Sequence, residues 1–189
     1  MTTRSLRASA VLATTVFALV GYAGRAEGQQ TRTAAAPSLT DPQIAHVAVT
    51  ANTIDVELAK VAQTRAANEK VLEFARTMVT DHTAVNEQAA ALASRLGVTP
   101  EDNEVSRSLK QGAAEARTKL EGLRGAAFDR AYMEREVAYH QAVLDALDKM
   151  LIPGASNADL RALLEQVRPA VAAHLEHAKQ LRASLGSGR

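Results

Sequence analysis

The sequence predicts an all-α domain, and three observations carry that expectation. Ala, Leu, Val, Glu and Arg dominate the 189 residues, with three Phe, three Tyr and no Trp, a composition that favours helix and leaves little for a sheet. Apolar residues recur at steps of three and four through several long segments, the period of a helix with one buried face. Capping sequences and breaker residues punctuate those segments where helices should start and stop. The length suits one domain with a substantial core. Formal net charge is +1, so the charge balance gives no case for a nucleic-acid partner. Cysteine is absent, which removes thiol catalysis, disulfides, thiolate metal sites and a lipid-modified cysteine together.

Residues 1–26 read as an export signal. Arg4 and Arg7 supply the positive start, Ala8 to Val20 form an uncharged apolar run too short for a comfortable membrane span, and Gly24-Arg25-Ala26 or Gly21-Tyr22-Ala23 would serve for cleavage. Removing this segment takes away Arg4, Arg7 and Arg25 and no acid, so the balance moves from +1 to −2. Residues 27–39 are polar, contain Ala and Pro, and show no periodicity, which predicts a disordered linker. The helical domain is expected over 40–185, with 186–189 as a frayed tail.

The first helix opens at Thr40-Asp41-Pro42-Gln43, where Thr40 caps, Gln43 reaches back and Pro42 is tolerated in the first turn. Ile44, Val47, Ile54 and Leu58 mark its apolar half, and Asp55 falls inside that half. Thr50, Thr53, Glu57 and Lys60 mark the polar side, with His46 at the surface. The second helix carries Val71, Ala75, Met78, His82, Val85, Ala89, Leu92 and Leu96, whose alternating steps of 4 and 3 are a bundle seam. Gly97 stops it.

Thr99-Pro100-Glu101-Asp102 is the expected start of a third helix, with Thr99 as cap, running to about Gly122 as a charged crossover on the surface. The fourth helix follows Gly125, from Phe128 to about Leu151. Its apolar half contains Phe128, Tyr132, Met133, Val137, Tyr139 and Leu147, with Asp129, Glu136 and His140 near the middle; Arg130, Glu134, Arg135 and Gln141 read as its polar half. Pro153-Gly154 makes the next turn, and Ser156-x-x-Asp159 opens the last helix. Its seam is Leu160, Leu164, Val167, Val171, His174, Ala178 and Leu181, with Pro169 inside the helix and His177 exposed at the stripe's edge.

Three histidines thus replace core aliphatics on three helices. The short turns near 68 and 154 make helices one and two, and four and five, antiparallel neighbours, while the long connection permits a crossover topology. Asp55 lies 13 residues before position 68 and His82 lies 14 after it, so the two should be nearly level. Glu136, His140 and His174 fall at a similar depth. Asp55, His82, Glu136, His140 and His174 are therefore candidate ligands of a metal in the bundle core, with Asp81 and Asp129 in support. Imidazole and carboxylate donors suit iron, zinc, copper or manganese alike. The competing expectation is a structural polar network that pairs Asp55 with His82 and Glu136 with His174, and a pH-sensitive layer is a third. Glu136-x-x-x-His140 departs from the Glu-x-x-His spacing of di-iron bundles, so a ferroxidase-type site is not supported. No phosphate loop or nucleophile elbow is present.

These residues also carry a resemblance. Ile54-Asp55-Val56-Glu57-Leu58-Ala59, Val71-Leu72-x-Phe74-Ala75-x-x-Met78-Val79-x-Asp81-His82, Phe128-Asp129-x-x-Tyr132 with His140, and Pro169 followed by His174-Leu175 resemble a family of exported bacterial proteins. That family is catalogued as a domain of unknown function, is often labelled outer-membrane, and is related to ferritin-like bundles. The resemblance spans about 40–185. It implies a ferritin-like four-helix bundle with an extra crossover helix between the second and third helices of the bundle, and a place in the cell envelope. Without alternating strands, a second apolar span or a lipidation cysteine, the expectation is a periplasmic protein, associated with the outer membrane through an envelope-protein or membrane-surface partner.

Overall fold

The computed structural model describes residues 39–186. The expected export signal, all but the last residue of the expected linker, and the final three residues lie outside that range. Among the described residues the regular structure is helical: α1 (Asp41–Arg65), α2 (Glu69–Leu96), α3 (Glu104–Glu121), α4 (Gly125–Ala146), a π-helical turn (Leu147–Leu151), the short α5 (Ile152–Gly154) and α6 (Ala158–Gly186). No helix among them is long and apolar enough to cross a membrane.

Helix ends follow side-chain chemistry. The Thr40 hydroxyl accepts from the Gln43 amide and the Gln43 side chain accepts from the Thr40 amide, closing both orphan donors of the α1 start. α2 stops at Gly97, whose φ of 63° suits a residue without a β-carbon. Two expected starts are corrected. α3 is capped by Asn103 rather than Thr99: the Asn103 side chain accepts from Ser106 N and Ser106 Oγ accepts from Asn103 N. The preceding residues are held on α1, with Glu101 N donating to Pro42 O and Asn103 Nδ2 to Gln43 O, so the backbone cannot turn helical at Pro100. The last helix is capped by Asn157, which accepts from Asp159 N and Leu160 N, whereas Ser156 N is taken by Asp41. Pro153 and Gly154 lie within α5, and the chain reverses at 155–157.

Short connections at 66–68 and 155–157 build two hairpins, α1/α2 and α4/α6, with α1 also touching α4 and α2 touching α6. α3 begins against the start of α1 and ends against its end, where Arg65 Nη1 donates to the Glu121 carbonyl. It therefore runs parallel to α1 and returns the chain to the end where α4 starts.

Two apolar clusters fill the bundle. One contains Phe74, Phe128, Tyr132, Met78, Met133 and Leu120, and so takes the buried aromatics. The other contains Ile44, Val47, Leu147, Leu151, Leu164 and Val171. Between them on every long helix lie buried polar residues: Asp55, His82, Glu136 with His140, and His174. Thr50, expected on the polar side of α1, is buried at 6% exposure. His46, expected at the surface, is part-buried against α3, with Nδ1 2.9 Å from Ser106 Oγ.

Candidate metal centre

The steps of 4 and 3 along α2 set His82 on the inner face, and the equivalent seams of α4 and α6 present His140 and His174 at the same level. Their rings form a nearly equilateral triangle, with centroids 5.7 Å apart for His82–His140, 5.3 Å for His82–His174 and 5.6 Å for His140–His174. One ring nitrogen from each lies within 4.8 Å of the others.

The surroundings assign the tautomers. His82 Nδ1 is 2.6 Å from Asn52 Oδ1, and Asn52 is oriented by donating its Nδ2 to Ala48 O. His140 Nδ1 is 3.0 Å from the Glu136 carbonyl, and His174 Nε2 is 2.9 Å from Asp81 Oδ2. Each of these oxygens can only accept, so each imidazole spends its N–H outward. The other nitrogens, His82 Nε2, His140 Nε2 and His174 Nδ1, are buried without a hydrogen-bond partner. Three lone pairs are thereby left facing the centre.

Two carboxylates stand beside the triad. Asp55 and Glu136 are fully buried, and one Arg135 nitrogen bridges them, 2.7 Å from Asp55 Oδ1 and 2.6 Å from Glu136 Oε1. Asp55 Oδ2 approaches His82 Nε2 at 3.1 Å and His140 Nε2 at 3.9 Å without hydrogen-bond alignment, and Glu136 Oε2 lies 3.4 Å from His140 Nδ1. Asp55 Oδ2 and Glu136 Oε2 are the two further buried atoms of this cluster without a partner, so all five expected ligand residues contribute one orphan atom each. Asp55, Glu136 and His140 form a second group of converging donors.

Charges follow from this packing. Burial alone would push the Asp55 carboxyl up, but the adjacent His82 nitrogen, the Arg135 guanidinium and the His140 imidazole hold it well below the usual carboxylate range. Burial opposes a charge on His140, yet the Glu136 contact and the Asp55 charge leave its pKa raised. Burial pushes His174 down, and the neighbouring His82 and His140 imidazoles add to that against the opposing pull of Asp81.

Arg135 was expected on the polar half of α4. Instead its long side chain is 13% exposed, reaches Asp55 and Glu136, and sets its guanidinium 3.8 Å from the Tyr139 ring centroid. Tyr139, one turn on from Arg135, is the sequence signal for this stack. The expected Glu136–His174 pair does not form: Glu136 faces Arg135 and His140, and His174 faces Asp81. Asp81 Oδ2 meets His174 Nε2 at 2.9 Å. Asp129 is buried, but both of its oxygens accept main-chain N–H groups, from Ala67 and Asn68, so it fastens the α1–α2 connection and does not support the triad. Tyr132 is buried with its hydroxyl unpartnered, and burial followed by the Glu136 and Asp55 charges pushes its pKa up. His177 is exposed, as expected, with its ring 5.3 Å from that of Phe74.

Elsewhere, Ser106 Oγ contacts both His46 and Asp102. The carboxylate meets the serine and not the far nitrogen of the imidazole, so it does not orient a catalytic base. The group ties α3 to α1.

The triad closes one end of an apolar cavity of about 140 Å³ between the two hairpins. The cavity belongs to the half of the bundle without buried aromatics, where Ala48, Ala89, Leu147 and Leu164 line it.

A family model described as domain of unknown function (DUF4142) matches residues 26–181. No curated protein and no solved structure matches the chain.

Proposed function

The chain belongs to the family described as domain of unknown function DUF4142, and from its buried site we propose that it is an exported cell-envelope protein that binds a divalent transition metal through His82, His140 and His174. One observation carries the reading: each imidazole donates one N–H to an oxygen acceptor and leaves the other nitrogen buried, unpartnered and turned toward the other two. Metal-bound histidines have this arrangement, because the outer hydrogen bond fixes the tautomer and raises the basicity of the ligating nitrogen. An Asn side chain, a main-chain carbonyl and a carboxylate play that part here.

Tetrahedral bonds of 2.0–2.1 Å set ligand nitrogens about 3.3 Å apart, so binding draws the three rings together from within 4.8 Å. Asp55 Oδ2 is the available fourth donor. Arg135 already neutralises much of the carboxylate charge and stands where a second cation would be needed, which supports a single metal ion over a dinuclear centre. Zinc, copper, iron and manganese all accept such donors. We further propose that the helix order, with α3 as the crossover between two hairpins, is ferritin-like, and that the protein works in the periplasm in association with the outer membrane. The apolar run at 8–20 following Arg4 and Arg7 supports export.

A second reading has its own observation. Arg135 and a protonated His140 balance Asp55 and Glu136, giving a charge-closed structural network. Elemental analysis of protein purified without a histidine tag or chelator separates the two. The metal reading expects close to one ion per chain and a rise in Tm on reloading, since metal at a hundredfold excess over Kd adds about 2.7 kcal/mol. Sub-stoichiometric metal, with no thermal shift from iron, zinc, copper or manganese, leaves the structural network as the function of the layer.

A further inference from the structure

We propose that the apolar cavity between the two hairpins binds a small neutral hydrocarbon the size of a single aromatic ring. This site stands apart from the metal reading, because the guest packs on the cavity wall and takes no ligand position at the triad.

Size sets the upper limit. The cavity measures about 140 Å³, and a dry apolar cavity of about 150 Å³ takes benzene or xenon. One ring fits such a space, whereas a second ring or a long chain exceeds it.

The lining sets the polarity. Its wall of Ala48, Ala89, Leu147 and Leu164 offers no hydrogen-bonding side chain. The polar groups that reach the cavity are committed elsewhere. Asp41 accepts from Ser156 N and Asn157 N, and Asn157 Oδ1 accepts from Asp159 N and Leu160 N. Asn52 is held between His82 and Ala48 O, Asp81 meets His174, and the Tyr139 hydroxyl donates to Ala51 O. The three unpartnered imidazole nitrogens face one another. A water on the wall would lack the about two to four polar partners it needs, and a charged guest would lie there unpaired at a desolvation cost. A neutral apolar guest meets neither penalty.

The protein does not fill the space from within. Its buried aromatics Phe74, Phe128 and Tyr132 all belong to the other apolar cluster. An empty cavity leaves its lining without dispersion partners on one side, and a ring placed there restores those contacts. The half-buried Val85 and Val167, on α2 and α6, carry the lining to a solvent edge through which a small guest can enter.

Fluorine NMR titration of the full-length protein with fluorobenzene tests this. One saturable site is expected, from which benzene displaces the probe. 4-Fluorobenzoate and 4-fluorobenzylammonium should bind at least tenfold more weakly because of their charge, and 4-fluorobiphenyl because of its second ring. Ala89→Phe from α2, and Ala48→Leu as a milder filling from α1, should each weaken fluorobenzene at least tenfold without lowering Tm. If Ala89→Phe does not fold, Ala48→Leu decides. Absence of saturable binding overturns the proposal. So does equal affinity for a charged or two-ring probe, or fluorobenzene binding indifferent to the fillings that fold. Protein that binds fluorobenzene yet holds no metal overturns the metal reading alone.

Discussion

Replacing Arg135 with methionine keeps most of the side chain's apolar stem and removes one charge. In the native protein that charge lies 2.7 Å from Asp55 and 2.6 Å from Glu136, both fully buried. Without it two carboxylates face each other across a core that gives Asp55 only imidazole partners. Breaking a buried ion pair by deleting one partner costs about 3–5 kcal/mol, because the remaining charge stays desolvated. For a domain of this size that lowers Tm by on the order of 10 °C. Urea unfolding of metal-free protein measures the loss directly. Asp55→Asn placed in the Arg135→Met background should recover much of it, since the second change removes the charge that the first left unpaired. A cost of about 1 kcal/mol or less, typical of an exposed pair, would refute the reasoning, as would a double variant no more stable than the single one.

Other outcomes follow from the same geometry. Asp81→Ala frees His174 Nε2 and should weaken metal binding about 10–100-fold with little loss of stability, as read by competition against a chelator. Asp129→Ala strips the acceptor from two main-chain N–H groups and should cost about 1–3 kcal/mol in urea unfolding while metal content stays the same; loss of metal would return Asp129 to the site. In metal-free protein the Asp55 carboxyl is held below its unfolded value of about 3.9, so its contribution is full above that pH and lost as pH falls. The stability gap between wild type and Asp55→Asn should therefore narrow in acid below about pH 4. His140 is raised, so its contribution is full below about pH 6.5 and fades as pH rises. The gap between wild type and His140→Gln should shrink as pH rises above about 6.5, and a gap that widens would overturn the assignment of charge to His140.

The depth of the site was legible because helical period and short turns are strong local constraints. His82 is inward because Met78 and Val85 bracket it in the seam, and Asp55 is level with it because the 66–68 connection leaves little freedom of register. What local pattern could not give was the choice of partner. Arg135 occupies a polar position on the helical wheel, yet its reach lets the guanidinium turn back under Tyr139. Asp129 and Glu136 share the inner half of α4, but Asp129 lies level with the α1–α2 connection and is claimed there by two amides. The cap at Asn103 prevailed over Thr99-Pro100 because contacts with α1, about 60 residues away in sequence, hold the connecting backbone extended. Each miss is a tertiary contact overruling a local preference.

The division of the polar layer between the two hairpins has a kinetic consequence. Asp55 and His82 belong to α1/α2, and Arg135, Glu136, His140 and His174 to α4/α6, so Arg135 meets Asp55 across 80 residues of sequence and His174 meets Asp81 across 93. Each hairpin closes through a three-residue connection and can form from near neighbours, which is fast. The layer exists only once the hairpins have docked. Interactions completed after the rate-limiting step slow unfolding and leave the folding rate nearly unchanged. On the metal reading, and with docking after the rate-limiting step, an ion at this waist would lengthen the lifetime of the bundle without hastening its formation.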